Sequence, residues 1–248
     1  MIIAFICIVL IFNTMETISI HRPKIVVIGS CNTDMVVKAN RLPVPGETIL
    51  GGTFYMNPGG KGANQAIAAA RLGAEVTFIS KIGYDLFGLQ ALEIYRSEKI
   101  NTEYIFTDQK SPSGVALISV DSFGENSIIV APGASRSLSI EDINKAEEKI
   151  KEADIILMQL EIPIDTVEYA ATIACKYGKK VILNPAPASS LSNSFLMNVH
   201  TILPNRIEAE MLSGIKVMNI ESAHRAAQAI GEKGIAVSYT HLTLPTIR

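Results

Sequence analysis

The sequence has 248 residues, 48% of them hydrophobic and 19% charged, with a formal net charge of −2. That length buries a sizeable core, as one large domain or one domain with a small appendage, and the balance fits an α/β protein rather than a disordered chain. The near-neutral charge leaves no footprint for nucleic acid or an anionic membrane, and three cysteines without a CxxC pair speak for free thiols in a reducing, cytoplasmic setting rather than a disulfide or zinc framework.

Met1 to Phe12 is an unbroken apolar run, shorter than the roughly 20 residues a bilayer-spanning helix needs. Residues 1–14 read either as a translation start placed too early, with Met15 next in frame, or as a signal-like segment without a basic n-region or cleavage site. From there apolar runs alternate with helical stretches. Lys24–Gly29, Glu75–Ser80, Ile155–Leu160, Val181–Pro187 and Thr201–Asn205 predict buried strands. Helices are predicted over Asn64–Leu72, Asp85–Lys99, Ile140–Ala153 (opened by a Ser139/Asp142 capping box), Ile164–Tyr177 and Ile220–Ile230. Such alternation implies a mostly parallel sheet with helices on both faces. Met35–Met56 and Gly114–Gly133 instead alternate with period two and turn at Pro-Gly and Phe-Gly. They predict two antiparallel hairpins, a small inserted β-sheet over about residues 34–56 and 113–132, placed to act as a lid and to pair two copies. Residues 15–236 thus read as one α/β unit. Val237–Arg248, VSYTHLTLPTIR, interrupts a strand begun at IAV and looks like a translated sequencing adaptor, so it is set apart from the fold.

The densest chemical signal is NPGGKGANQA, Asn57–Ala66. Glycine-rich turns that open helices usually meet phosphate. Here the P-loop pattern fails, because Gly60-Lys61 is followed by Gly62 and Tyr55 stands where its first glycine belongs. The dinucleotide pattern fails too, with Gln65 in its last glycine position. Asn32 and Asp34 follow the first strand and Glu161 closes the strand IILMQLE, at the carboxyl edge where open parallel sheets bind ligands. Two carboxylates, two carboxamides and Lys61, without concentrated positive charge, suit a neutral polyol such as a sugar. Each residue also has an ordinary reading. Asp34 serves a turn or cap, Glu161 is a carboxylate leaving the core, Lys61 is solvated, and the glycines make a tight turn.

Taken in order, GSCNTDMV, PGET, GGKGANQAIAAARLGAEVTFISKIG, MQLEIP, LNPAPA and PNRIEAE make the chain from Lys24 to Ala236 resemble the ribokinase-like (PfkB) carbohydrate kinases. The resemblance implies a ribokinase-like α/β fold with a β-sheet lid and ATP-dependent phosphorylation of the primary hydroxyl of D-ribose. It implies Mg²⁺ and a monovalent cation (K⁺), and a homodimer formed through the lid. By matched position Asn32, Thr33, Asp34, Gly60, Lys61, Gly62, Ala63, Asn64 and Glu161 would hold the sugar, with the loop's backbone amides brought close by the glycines. Asn205 and Asn184 would meet ATP, and Glu208 would organise Mg²⁺ through water. One departure stands out: the family's G-A-G-D segment, which supplies an anion hole and the aspartate that takes the hydroxyl proton, does not occur in these 248 residues. The catalytic base and the cation site are therefore expected beyond residue 236, and the 248 residues are expected to be inactive alone. Another sugar or nucleoside kinase of the family, or a non-catalytic sugar-binding protein, are the alternatives.

Overall fold

A computed structural model describes residues 22–238. The chain runs β1 (Lys24–Ile28), β2 (Asn32–Lys38), β3 (Thr53–Gly59), α1 (Lys61–Arg71), β4 (Glu75–Gly83), α2 (Leu86–Ser97), β5 (Ile105–Asp108), β6 (Gly114–Val120) and β7 (Asn126–Ala131). After a 3-10 turn at Gly133–Ser137 come α3 (Ile140–Lys145), α4 (Glu147–Glu152), β8 (Ile155–Met158), α5 (Ile164–Lys176), β9 (Lys180–Leu183) and α6 (Asn193–Leu196). Last are β10 (Thr201–Ile202), α7 (Arg206–Ser213), α8 (Ile220–Gly231) and β11 (Val237–Ser238).

Seven strands form one sheet, ordered β11-β10-β9-β8-β1-β4-β5, and every pairing in it is parallel. A parallel sheet must be covered on both sides, which is why its strands are continuously apolar. Alternation divides β1 between two cores. Val26 and Ile28 pack with Ile156, Met158, Val181 and Leu183 under α3–α5 and the C-terminal helices. Ile25 and Val27 pack with Phe78, Ile155 and Leu157 under α1 and α2. Since β1 is flanked by β4 on one side and β8 on the other, the chain's winding reverses there, and a crevice opens beyond its carboxyl end.

The second sheet is the small inserted one, ordered β3-β2-β6-β7. Both expected hairpins form, β2 with β3 and β6 with β7. The parallel pairing of β2 with β6 joins them, and that long-range contact has no local signature. Asn32, Asp34, Val36 and Ala116 share one face; Val36 and Ala116 are buried, so this face looks onto the body.

Several boundaries differ from the sequence reading. The helix expected over Ile140–Ala153 is two short ones, because Ala146 N bonds Ile143 O at 3.0 Å and tightens the chain there. Helix α1 begins at Lys61 rather than Asn64, so most of the glycine loop is already helical. Strand β9 stops at Leu183, after which Ala186 N turns back to Asn184 O at 2.8 Å. Strand β5 and helix α6 arise where the sequence predicts no element. In the adaptor-like tail, Val237 and Ser238 pair with Thr201 and Ile202; segment 1–14 and residues 239–248 lie outside the described residues. Among the described residues no helix is long and apolar enough to cross a membrane.

Candidate active site

The crevice is built where β1 and β8 end. After Ile28 the chain leaves the sheet through Gly29 and Ser30 and climbs into the inserted sheet at Asn32. The other strand of that hairpin returns through Gly59 and Gly60 directly into α1. Contact here is backbone against backbone. A Cβ on Gly62 would lie 2.7 Å from Gly29 C and from Ser30 N and O, and one on Gly60, whose φ is +88°, would lie 3.0 Å from Asn32 N. Only glycine allows that approach.

Glu161, at the end of the β8 run, reaches into this junction. Its Oε2 accepts from the Ser30 hydroxyl at 2.5 Å and from Lys61 N at 3.0 Å, and its Oε1 lies 3.1 Å from Lys61 Nζ. Across the crevice stands Asp34. Burial holds its carboxyl above the ordinary aspartate value, the Glu161 charge adds to that, and Lys61 opposes both. Beside it Asn32 is 5% exposed, and its Oδ1 finds no hydrogen-bond donor. A buried amide oxygen left unpaired is costly, and a ligand hydroxyl would relieve it. Asp34, Glu161 and Lys61 thus lie near enough for their charges to act on one another, and Asn32 adds an amide acceptor beside Asp34 on the same strand.

The glycine loop does not use its amides as expected. Lys61 N donates to Glu161, Gly62 N to Ser30 Oγ at 3.4 Å, Ala63 N to Ser30 O at 2.9 Å, and Asn64 N to Gly60 O at 3.0 Å. The four N–H groups are engaged within the protein, so the glycines bring α1 against β1 instead of baring amides to a ligand. Gly62 and Ala63 are buried in that contact, while Lys61 and Asn64 are half-buried. Thr33 falls on the opposite face of β2 from Asn32 and Asp34. It lines a cavity of about 240 Å³ with Met56, Pro58, Phe87 and Gln90, and Asn32 borders the same cavity. Ser30, which no sequence motif singles out, is the hub: 1% exposed, it joins β1, α1 and Glu161. Neighbouring Cys31 is a packing thiol; burial pushes it up to about 11, against a 2.9 Å contact with the Tyr95 hydroxyl.

Asn205 and Glu208 open α7 as a reciprocal cap. Asn205 Oδ1 accepts from Glu208 N at 2.9 Å, while Glu208 accepts from Asn205 N and Nδ2, each at 2.8 Å. Glu208 is 4% exposed, and burial raises its carboxyl above the ordinary range, with the Asn205 amide and the Lys61 charge opposing. Lys61 thus acts on both the Asp34 side and the Glu208 side of the crevice. Asn184 comes just after β9, its N–H bonded to Met158 O at 2.9 Å, at the same edge of the sheet.

Residues 22–241 match the family described as pfkB family carbohydrate kinase. The chain belongs to that family. It is 45% identical over 214 residues to the ribokinase of Haemophilus influenzae, covering 86% of this chain and 70% of that protein. It is 39% identical over 212 residues to the deoxyribokinase of Salmonella typhi, covering 85% and 69%. Among solved structures, the ribokinase of Arabidopsis thaliana complexed with ribose and ATP superposes with a TM-score of 0.78 at 30% identity, over 89% of this chain and 72% of that one. The fold is therefore the ribokinase-like one, and the protein is a sugar kinase by family.

Proposed function

We propose that this family member acts on D-ribose, taking the phosphoryl group of ATP onto the primary hydroxyl to give ribose 5-phosphate. The observation that carries the reading is the unpaired, buried Oδ1 of Asn32 beside the half-buried carboxylate of Asp34. These are acceptors that a polyol's hydroxyl groups would satisfy and a phosphate would not. Glu161, already fixed by Ser30 and Lys61, closes the opposite wall. A site of this type rejects an analogue lacking one hydroxyl by up to roughly 10⁴-fold. Calorimetry with D-ribose, 2-deoxyribose, fructose and adenosine tests it. Ribose should bind most tightly, and an absence of heat with ribose refutes the reading. Tighter binding of 2-deoxyribose would favour the second reading, which the similarity to a deoxyribokinase supports.

ATP is assigned to the Asn184 and Asn205 side. Both oxygens of Glu208 already accept from Asn205, which fits a role toward magnesium through bound water rather than as a direct ligand. Magnesium there would neutralise charge on the transferring phosphates. The K⁺ expected from the resemblance is assigned to no residue here. No G-A-G-D segment occurs in the 248 residues, so we assign the step that takes the hydroxyl proton to none of them and expect ribose binding without turnover.

A second copy of the chain is the proposed occupant of the inserted sheet's outer face. Met56, Met35, Leu117 and Ile129 form a row across all four strands there, with Leu117 and Ile129 more than half exposed. Sedimentation should show a dimer that Leu117→Asp dissociates. Free thiols at Cys31 and Cys175 suit the cytoplasm, where we place the protein.

A further inference from the structure

We infer that Asp85, which lies outside the sugar crevice, positions the Asn32 amide for the sugar by holding the root of strand β6. The inference rests on the sugar-binding reading of Asn32 and adds a positioning residue to it.

Asp85 caps α2, its Oδ1 accepting from Gly88 N at 2.9 Å. A cap needs no more than that bond. Asp85 makes two others, both to one residue of a different element: Oδ1 accepts from Ser113 Oγ and Oδ2 from Ser113 N, each at 2.7 Å. Ser113 Oγ in turn accepts from Gly83 N at 3.0 Å. Ser113 is 6% exposed and stands immediately before β6. Gly114, the next residue, is the register partner of Asn32.

From Ser113 to Asn32 the contacts leave no slack. A Cβ on Gly114 would lie 2.1 Å from Asn32 Oδ1 and 2.8 Å from Pro132 O. One on Gly83 would lie 2.4 Å from Ser113 N, one on Gly88 2.4 Å from Gly83 O, and one on Gly133 2.3 Å from Pro112 O. Four Cβ-less positions thus pack backbone to backbone around Pro112, Ser113 and Gly114. Only the Gly114 backbone stands between Ser113 and the Asn32 amide, and Asn32 Oδ1 packs against it, so a shift of Ser113 moves the surface that seats the acceptor. Burial opposes ionisation of Asp85, but the donors from Ser113 and Gly88 outweigh it and hold the carboxyl below its ordinary value. Asparagine at this position would keep one acceptor for the helix cap and turn the other toward Ser113 as a donor.

The test is calorimetry with D-ribose on the 248-residue chain and its Asp85→Asn, Ser113→Ala and Ser139→Ala variants, with thermal melts of each. Ser139→Ala removes a comparable helix cap, that of α3. Asp85→Asn should weaken ribose binding by about tenfold, the loss typical of one hydrogen bond to a charged group, and Ser113→Ala by a smaller factor. The double variant should be no worse than Asp85→Asn alone, since both act through one contact. Ser139→Ala should lower the melting temperature and leave ribose affinity as in the wild type. Wild-type affinity in both Asp85→Asn and Ser113→Ala overturns the inference while leaving the sugar reading intact. A wild-type chain that gives no heat with ribose overturns the sugar reading and this inference with it. Should Asp85→Asn not fold, Ser113→Ala decides alone.

Discussion

Replacing Gly59 by alanine puts a methyl group where the Asp34 carboxylate now lies. The new Cβ would fall 1.9 Å from Asp34 Oδ1, 2.1 Å from Cγ and 2.5 Å from Oδ2, so the whole carboxylate must leave. Gly59 does not have a positive φ, and alanine therefore adds no backbone strain. The carboxylate has little to lose in stability by moving. Burial and the Glu161 charge already disfavour its ionised form, so swinging toward solvent should cost the fold little. Ligand affinity responds differently. Each hydrogen bond from a sugar hydroxyl to a charged acceptor contributes about 1.5–3 kcal/mol, or roughly 10- to 150-fold in affinity. Gly59→Ala should therefore melt within a few degrees of the wild type while ribose binding, read by calorimetry, falls by at least that range. A variant that binds ribose with wild-type affinity would refute the placement of Asp34 in the sugar site. A variant that unfolds would refute the argument that Asp34 is free to move.

Ser30→Ala strips Glu161 of its 2.5 Å donor and leaves Gly62 N unpaired; it should destabilise the chain by about 1–3 kcal/mol in denaturant titration and weaken ribose binding several-fold. Asp34→Asn should change stability with a definite pH signature. Because the folded-state pKa lies above 3.8, the native chain binds this proton more tightly than the unfolded one, and Asp34 lowers stability as pH rises through that window. The variant should match the wild type below pH 3.8 and be the more stable of the two above it, as thermal melts across pH will show. Lys81→Met removes the cation bonded to Asp142 at 2.8 Å and leaves that carboxylate, 4% exposed, with its two Ser139 donors and with Lys145 4.0 Å away; a loss of about 1–3 kcal/mol is expected, with much of it recovered in the Lys81→Met/Asp142→Asn double variant.

Continuous apolar runs such as KIVVI and IILM announce a sheet covered on both faces, and the structure has it. The capping box at Ser139 is equally local and equally visible. What the sequence hides is anything that depends on register between distant segments. The parallel pairing of β2 with β6 cannot be read from two hairpins, each complete in its own pattern. Asp34, Glu161 and Lys61 stand out as charged residues at strand ends and in a glycine-rich loop, and the structure brings them together. Ser30 does not stand out because a serine after a strand is common, and only the fold shows its hydroxyl aimed at Glu161 across 131 positions of chain. The amides of Lys61–Asn64 mislead for a related reason: a glycine-rich helix start looks the same whether its N–H groups face a ligand or the adjoining strand. Thr33 sits in sequence between two residues of the crevice, yet period-two alternation sends it to the other face.

The absence of side chains at Gly60 and Gly62 has a consequence for how such a pocket can diversify. A Cβ at either meets backbone atoms at 3.0 Å or less, so mutational drift has almost nothing to work with on that part of the crevice floor. Retuning toward a different polyol must therefore come from the roof, where Ala116 and Ile118 share the inner face with Asp34 and can change size without touching the floor. Homologues that prefer different sugars should differ there first.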